Sequence, residues 1–89
     1  MMDISDWRNL CVASIVSQIG EDLPDAVWHR AQAQAVEAVD FAASRGADIT
    51  QCGRDSLHVV ETDAPGTYVV MWTKYPTLDF TIRLSEEAT

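Results

Sequence analysis

The sequence predicts an α+β fold in which two N-terminal helices pack on one face of a three-stranded antiparallel meander, in the order α-α-β-β-β. Three observations predict it. Apolar residues recur at three- and four-residue spacing through residues 5–45, the period of a helix with one buried face. Three short runs rich in Val, Ile, Thr and aromatics follow between residues 57 and 84. The segments joining those runs, Asp63-Ala64-Pro65-Gly66 and Lys74-Tyr75-Pro76-Thr77, are of turn length, so neighbouring strands must be antiparallel.

The first helix is expected to open with Ser5 as N-cap and to bury Trp7, Leu10, Cys11, Ile15, Val16 and Ile19. Gly20 stops it. The joint Glu21-Asp22-Leu23-Pro24-Asp25 is short and acidic, with Asp22 or Leu23 as the next cap and Pro24 in the first turn, where a missing N–H is harmless. The second helix runs to about Arg45, with Gly46 just past its end; its many alanines favour helix. Its stripe is Val27, Trp28, Ala31, Ala35, Val39 and Ala42, while Arg30, Glu37 and Asp40 fall outside it. Residues 47–55 form a connector that Ile49 pins to the core, and strands follow at 57–62, 67–73 and 78–84. Glu86-Glu87-Ala88-Thr89 reads as a polar tail.

The middle strand is the informative one. Tyr68-Val69-Val70-Met71-Trp72 is apolar on both faces, whereas Leu78–Leu84 alternates and has one wet face. Two helices cover one side of a small sheet, so an apolar strip is left over. Which strip depends on register. A four-residue first loop pairs Val60 with Val69 and Leu57 with Trp72. A four-residue second loop pairs Met71 with Phe80 and Val69 with Ile82. That even register, the preferred one, puts His58, Val60, Val69, Met71, Phe80 and Ile82 under the helices. It leaves Tyr68, Val70 and Trp72 on the open face beside Leu57 and Val59. An odd second loop inverts the match and leaves Val60, Val69 and Met71 outside. Under the preferred register Trp72 is the candidate interface anchor, and Trp7 and Trp28 are core.

A chain of 89 residues is expected to form one domain. Its apolar fraction of 47% against 22% charged is that of an ordinary globule and not of a disordered chain. Net charge is −8, from 14 acidic and 6 basic residues, which argues against direct contact with DNA or RNA. The same acidity suits a surface that occupies a basic, nucleic-acid-binding groove on a protein partner. Cys11 and Cys52 are too few for a secreted disulfide scaffold. With no leader-like N-terminus and no run approaching ~18 apolar residues, the expectation is a cytoplasmic protein with reduced thiols and no membrane contact.

His29, His58 and Cys52 are the side chains that could carry reaction chemistry. Cys52 and His58 do not have zinc-ligand spacing, and a Cys–His nucleophile pair would need an orienting group that the sequence does not mark. The acidic pairs Asp3/Asp6 and Glu37/Asp40 each share a helix face and read as solvated. The four glycines are isolated at element ends, so there is no phosphate-cradling loop. The expectation is therefore no catalytic centre, no metal and no cofactor.

In size, acidity and absence of catalytic motifs the chain looks like small inhibitor proteins that bind one macromolecular target. Phage-encoded anti-CRISPR and anti-restriction proteins and toxin-immunity proteins are the classes meant, and the Ala-rich, Arg-over-Lys usage fits a bacterial or phage source. The resemblance implies a binding or inhibitor module that acts by surface occupation. The acidic contact set would be Glu21, Asp22, Asp25, Glu37 and Asp40, and the apolar set Tyr68, Val70 and Trp72. The rival expectation is a homo-oligomer, such as a homodimer, held by sheet-mediated self-association.

Overall fold

The computed structural model describes residues 3–84. Helix α1 (Ile4–Ile19) and helix α2 (Asp25–Ser44) are followed by strands β1 (Leu57–Glu61), β2 (Thr67–Trp72) and β3 (Tyr75–Arg83). The strands form one antiparallel sheet in the order β1-β2-β3. The helices form a hairpin on one face of it, α1 against β1 and α2 against β3. The polar stretch 86–89 lies outside the described residues.

Local chemistry sets the helix ends. The N-cap of α1 is Asp3, not Ser5. The Asp3 carboxylate accepts the Asp6 N–H at 3.2 Å and the Asp6 carboxylate accepts the Asp3 N–H at 3.2 Å. This reciprocal pair satisfies two orphan donors, which a single Ser5 hydroxyl cannot do. It also gives Asp3 and Asp6 a structural job. Helix α1 ends at Gly20, as expected. A side chain there would crowd Leu23, whose Cδ2 stands 3.1 Å from where a Cβ would be, so the glycine lets Leu23 fold back on the helix end. Pro24 is itself the N-cap of α2, with no side-chain bond from Asp22 or Leu23. At the far end Gly46, at φ +92°, turns the chain so that the Ala47 N–H reaches the Ala42 carbonyl at 3.1 Å.

The core is built from Cys11, Val12, Ile15 and Val16 of α1, the alanine face and Val39 of α2, Ile49, and the inward side chains of the sheet. Ala31, Ala35, Ala38 and Ala42 are all fully buried, so small residues bring α2 close to its neighbours.

The β1–β2 register is the one expected, with Leu57 opposite Trp72 and Val60 opposite Val69. The β2–β3 register is not. Val70 faces Phe80 and Tyr68 faces Ile82, the odd alternative. The physical cause is a large bulge. The turn is only Thr73-Lys74, and Tyr75 pairs directly with Trp72. Only Met71 then stands between Val70 and Trp72 on β2, while Pro76 to Asp79 stand opposite on β3. An odd number of extra residues inverts which side chains face inward. Pro76 falls at this irregularity, where no ladder donor is needed.

The consequence is a correction. Leu57, Val59, Tyr68, Val70 and Trp72 lie on the helix-covered face with Leu78, Phe80 and Ile82. The open face carries His58, Val60, Val69 and Met71 beside Asp79, Thr81 and Arg83.

Both outer edges of the sheet are clamped by glutamines. On α1, Gln18 Nε2 donates to the Leu57 carbonyl at 2.8 Å and its Oε1 accepts the Val59 N–H at 3.1 Å. On α2, Gln34 Nε2 donates to the Arg83 carbonyl at 2.6 Å and its Oε1 accepts the Arg83 N–H at 2.9 Å. Each amide mimics a neighbouring strand at that point, which blunts an edge otherwise open to another chain.

Candidate binding site

The inter-helix turn places Glu21, Asp22 and Asp25 together at one end of the helical hairpin, all three exposed. No hydrogen bond or ion pair engages their carboxylates among the described residues. Beside them a groove of about 400 Å³ runs between α1 and α2, lined by no residue of the sheet. Its α1 wall is Asn9, Ala13, Val16 and Gly20, one helical face three and four residues apart. Its α2 wall is Trp28 and Gln32, one turn apart. Glu21 stands at its mouth.

The groove exists because α1 is small where it meets Trp28. Ala13, Ser17 and Gly20 do not reach over the indole, which stays 42% exposed although it sits at a stripe position. Trp28 is therefore not core, as expected from its spacing, but a surface wall. His29 braces it edge-on at 5.2 Å, and the His29 Nδ1–H donates to the Asp25 carbonyl at 2.9 Å. The Gln32 amide oxygen is shielded from solvent and accepts no hydrogen bond among the described residues. A second depression lies on the other flank of Trp28 and Gln32, bordered by Ala33 and Val36.

The other expected site residues divide. Glu37 is exposed on α2. Asp40 is engaged internally, its two oxygens accepting from Arg8 Nε at 2.7 Å and Arg8 Nη2 at 2.8 Å. The hydrogen bond from Arg8 holds the Asp40 carboxyl below its ordinary range. Asp40 thus ties α2 to α1 and does not extend the free acidic set. Val70 is fully buried, Trp72 is 3% exposed and Tyr68 packs against the core, so none of the three forms an outer surface.

The remaining polar candidates are scattered. His58 lies on the open face, its Nε2 3.2 Å from the Thr73 hydroxyl. The Cys11 thiol donates to the Ile49 carbonyl at 3.1 Å, and burial together with its neighbour Cys52 pushes it up to about 12. Both thiols are free. Among the described residues no group of three or more His, Cys, Asp or Glu side chains is placed to hold a metal ion. No described helix is long and apolar enough to cross a membrane.

What the sequence reading missed is the groove itself. The signal was present as Ala13, Ser17 and Gly20 on α1 facing a tryptophan on α2, but only the helix pairing says that they meet. The fold defines the class: a two-helix hairpin on a three-stranded antiparallel meander. The chain matches no family model, no curated protein and no solved structure.

Proposed function

We propose that the protein is a small acidic binding module that blocks a macromolecular partner by covering a basic, phosphate-binding surface on it. The observation that supports this reading is the exposed turn Glu21-Asp22-Asp25, whose carboxylates have no cation partner among the described residues and which borders an apolar groove. Uncompensated charge of one sign beside apolar surface suits an interface whose partner supplies the opposite sign. The net charge of −8 adds a field that steers a basic partner toward the chain. Glu37 adds a further exposed acid on α2, outside the turn. In this reading the module works in the bacterial cytoplasm and acts in the manner of anti-CRISPR, anti-restriction or toxin-immunity proteins, by occupation and not by catalysis.

The test is binding kinetics with a basic partner protein at two salt concentrations. Changing Glu21, Asp22 and Asp25 together to Lys is expected to slow association about tenfold or more at low salt and to flatten its salt dependence. Unchanged association rates would remove the acidic turn from the contact.

A second reading has its own observation. Val60 and Met71 are 49% and 39% exposed on the helix-free face, with Val69 on the same face. Face-to-face packing of two sheets would cover them and give a homodimer. Light scattering across a concentration series tests it, with Met71→Lys expected to return any dimer to monomer. A wild-type monomer throughout the series would sink this reading.

A further inference from the structure

We propose that the groove between α1 and α2 receives an arginine side chain from a protein partner. The inference rests on the acidic turn being the contact face and says what the partner inserts there.

Three features of the groove select this occupant. Its walls are largely apolar, through Val12, Ala13, Val16 and Trp28, which suits the three-methylene stem of arginine. Trp28 is an exposed aromatic on which a planar guanidinium stacks better than a compact ammonium does. Glu21 at the mouth supplies the charge for a paired, charge-assisted hydrogen bond.

The same features exclude other occupants. Among the described residues no basic side chain lines the groove, so an anionic group would meet Glu21 with nothing to balance it. A wholly apolar side chain would take water from the Glu21 carboxylate and give it no partner, which is costly. Lysine satisfies Glu21 but stacks poorly and stays strongly hydrated. The volume of about 400 Å³ exceeds one guanidinium and its stem, so neighbouring residues of the partner segment also find room. That is the size range of sites that bury most of a small ligand.

The probes are blocked tetra-arginine, tetra-lysine and tetra-citrulline peptides, titrated into the nitrogen-15-labelled protein and followed by amide and indole resonances. Citrulline keeps the shape of arginine and removes its charge. The expected result is that tetra-arginine moves the Trp28 indole N–H, the Gln32 side-chain amide and the backbone amides of Ala13, Ser17, Gly20 and Glu21. Tetra-lysine is expected to bind several-fold more weakly, and tetra-citrulline about tenfold or more weakly, than tetra-arginine.

Two variants locate the site without touching the acidic turn. Trp28→Ala removes the stacking wall at an exposed position, and Ser17→Leu fills the groove from an exposed position on α1. Each is expected to weaken tetra-arginine about tenfold while leaving the rest of the spectrum dispersed. The proposal is overturned if tetra-lysine or tetra-citrulline binds as tightly as tetra-arginine, or if both folded variants bind as wild type does. It is also overturned if the shifts fall away from the groove. In that last outcome a salt-dependent affinity elsewhere on the acidic face would leave the broader binding reading standing, so the two fail separately.

Discussion

Trp28 and Trp72 reverse the burial their sequence contexts suggested, Trp28 being exposed and Trp72 core, and each carries a measurable consequence. Trp72 is 3% exposed and lies between the sheet and the helices. Trp72→Ala should therefore cost about 3–5 kcal/mol in urea unfolding. Its indole N–H is buried without an acceptor among the described residues, so Trp72→Phe gives up no hydrogen bond and should cost under about 1.5 kcal/mol. Trp28→Ala, at an exposed wall, should cost about 1 kcal/mol or less. If Trp28→Ala proved the more damaging of the two alanine changes, the observed register would be wrong. The thiols make a second residue-scale prediction. Cys11 is fully buried and its thiol is pushed up to about 12, whereas Cys52 is partly exposed. Iodoacetamide near neutral pH should label Cys52 alone in the folded protein and both cysteines after unfolding, as read by mass spectrometry. The Cys11 pKa is raised on folding, so its contribution to stability is complete below the unfolded value of about 8.5 and is lost as pH rises toward about 12. Alkaline unfolding should shift upward in Cys11→Ala relative to the parent at the same neutral-pH stability.

At the scale of elements, side chains on the helices decide what the sheet can do. Gln18 and Gln34 each spend both halves of an amide on the backbone of an edge strand. Replacing either by Leu removes two hydrogen bonds and re-exposes strand edge, an expected cost of about 1–3 kcal/mol per variant. The double variant should also self-associate with concentration, seen by light scattering, because both edges are then open. A double variant that stays monomeric would show that the clamps are not what protects the edges. The Arg8–Asp40 pair is a different kind of tie, an exposed bidentate bridge between helices. The Asp40 carboxyl is held below its ordinary range, so what it contributes is present above about pH 4 and is lost as pH falls through its folded value. The melting difference between wild type and Asp40→Asn should thus shrink on acidification. It should also shrink with salt, because the bridge is at the surface.

On the scale of the whole molecule the excess of acid sets the behaviour. A net charge of −8 on 89 residues repels itself in the folded state, and only Asp40 among the described acids has a basic side chain bonded to it. Raising sodium chloride from about 10 mM to about 300 mM should therefore raise the melting temperature of the free protein, since the Debye length shortens from ~30 Å to well under 10 Å. The same salt should weaken any complex made through the acidic turn. Opposite responses of fold and complex to one variable separate self-repulsion from partner attraction. An apolar complex made through Val60 and Met71 would instead be insensitive to salt or strengthened by it.

The order of elements was legible because helix and strand periods are local properties of the chain, and so were Gly20 and Gly46 as helix ends and Ile49 as the anchor of the connector. The acidic turn was legible too, since Glu21, Asp22 and Asp25 are neighbours in sequence. The β1–β2 register followed from loop length alone. The β2–β3 register did not, because the bulge opposite Met71 has no signature apart from Pro76, and one change of parity moved Tyr68, Val70 and Trp72 from the open face to the core. Likewise the groove needs Ala13, Ser17 and Gly20 of one helix to face Trp28 and Gln32 of another. Periodicity shows that each helix has an inner face, but which residues meet across two helices is set by their packing. The sequence thus determined the elements, the charge and most of each helix's buried stripe, and the tertiary structure alone decided which face of the sheet is covered and which helix residues meet, because facing is a relation between elements and is encoded in neither one.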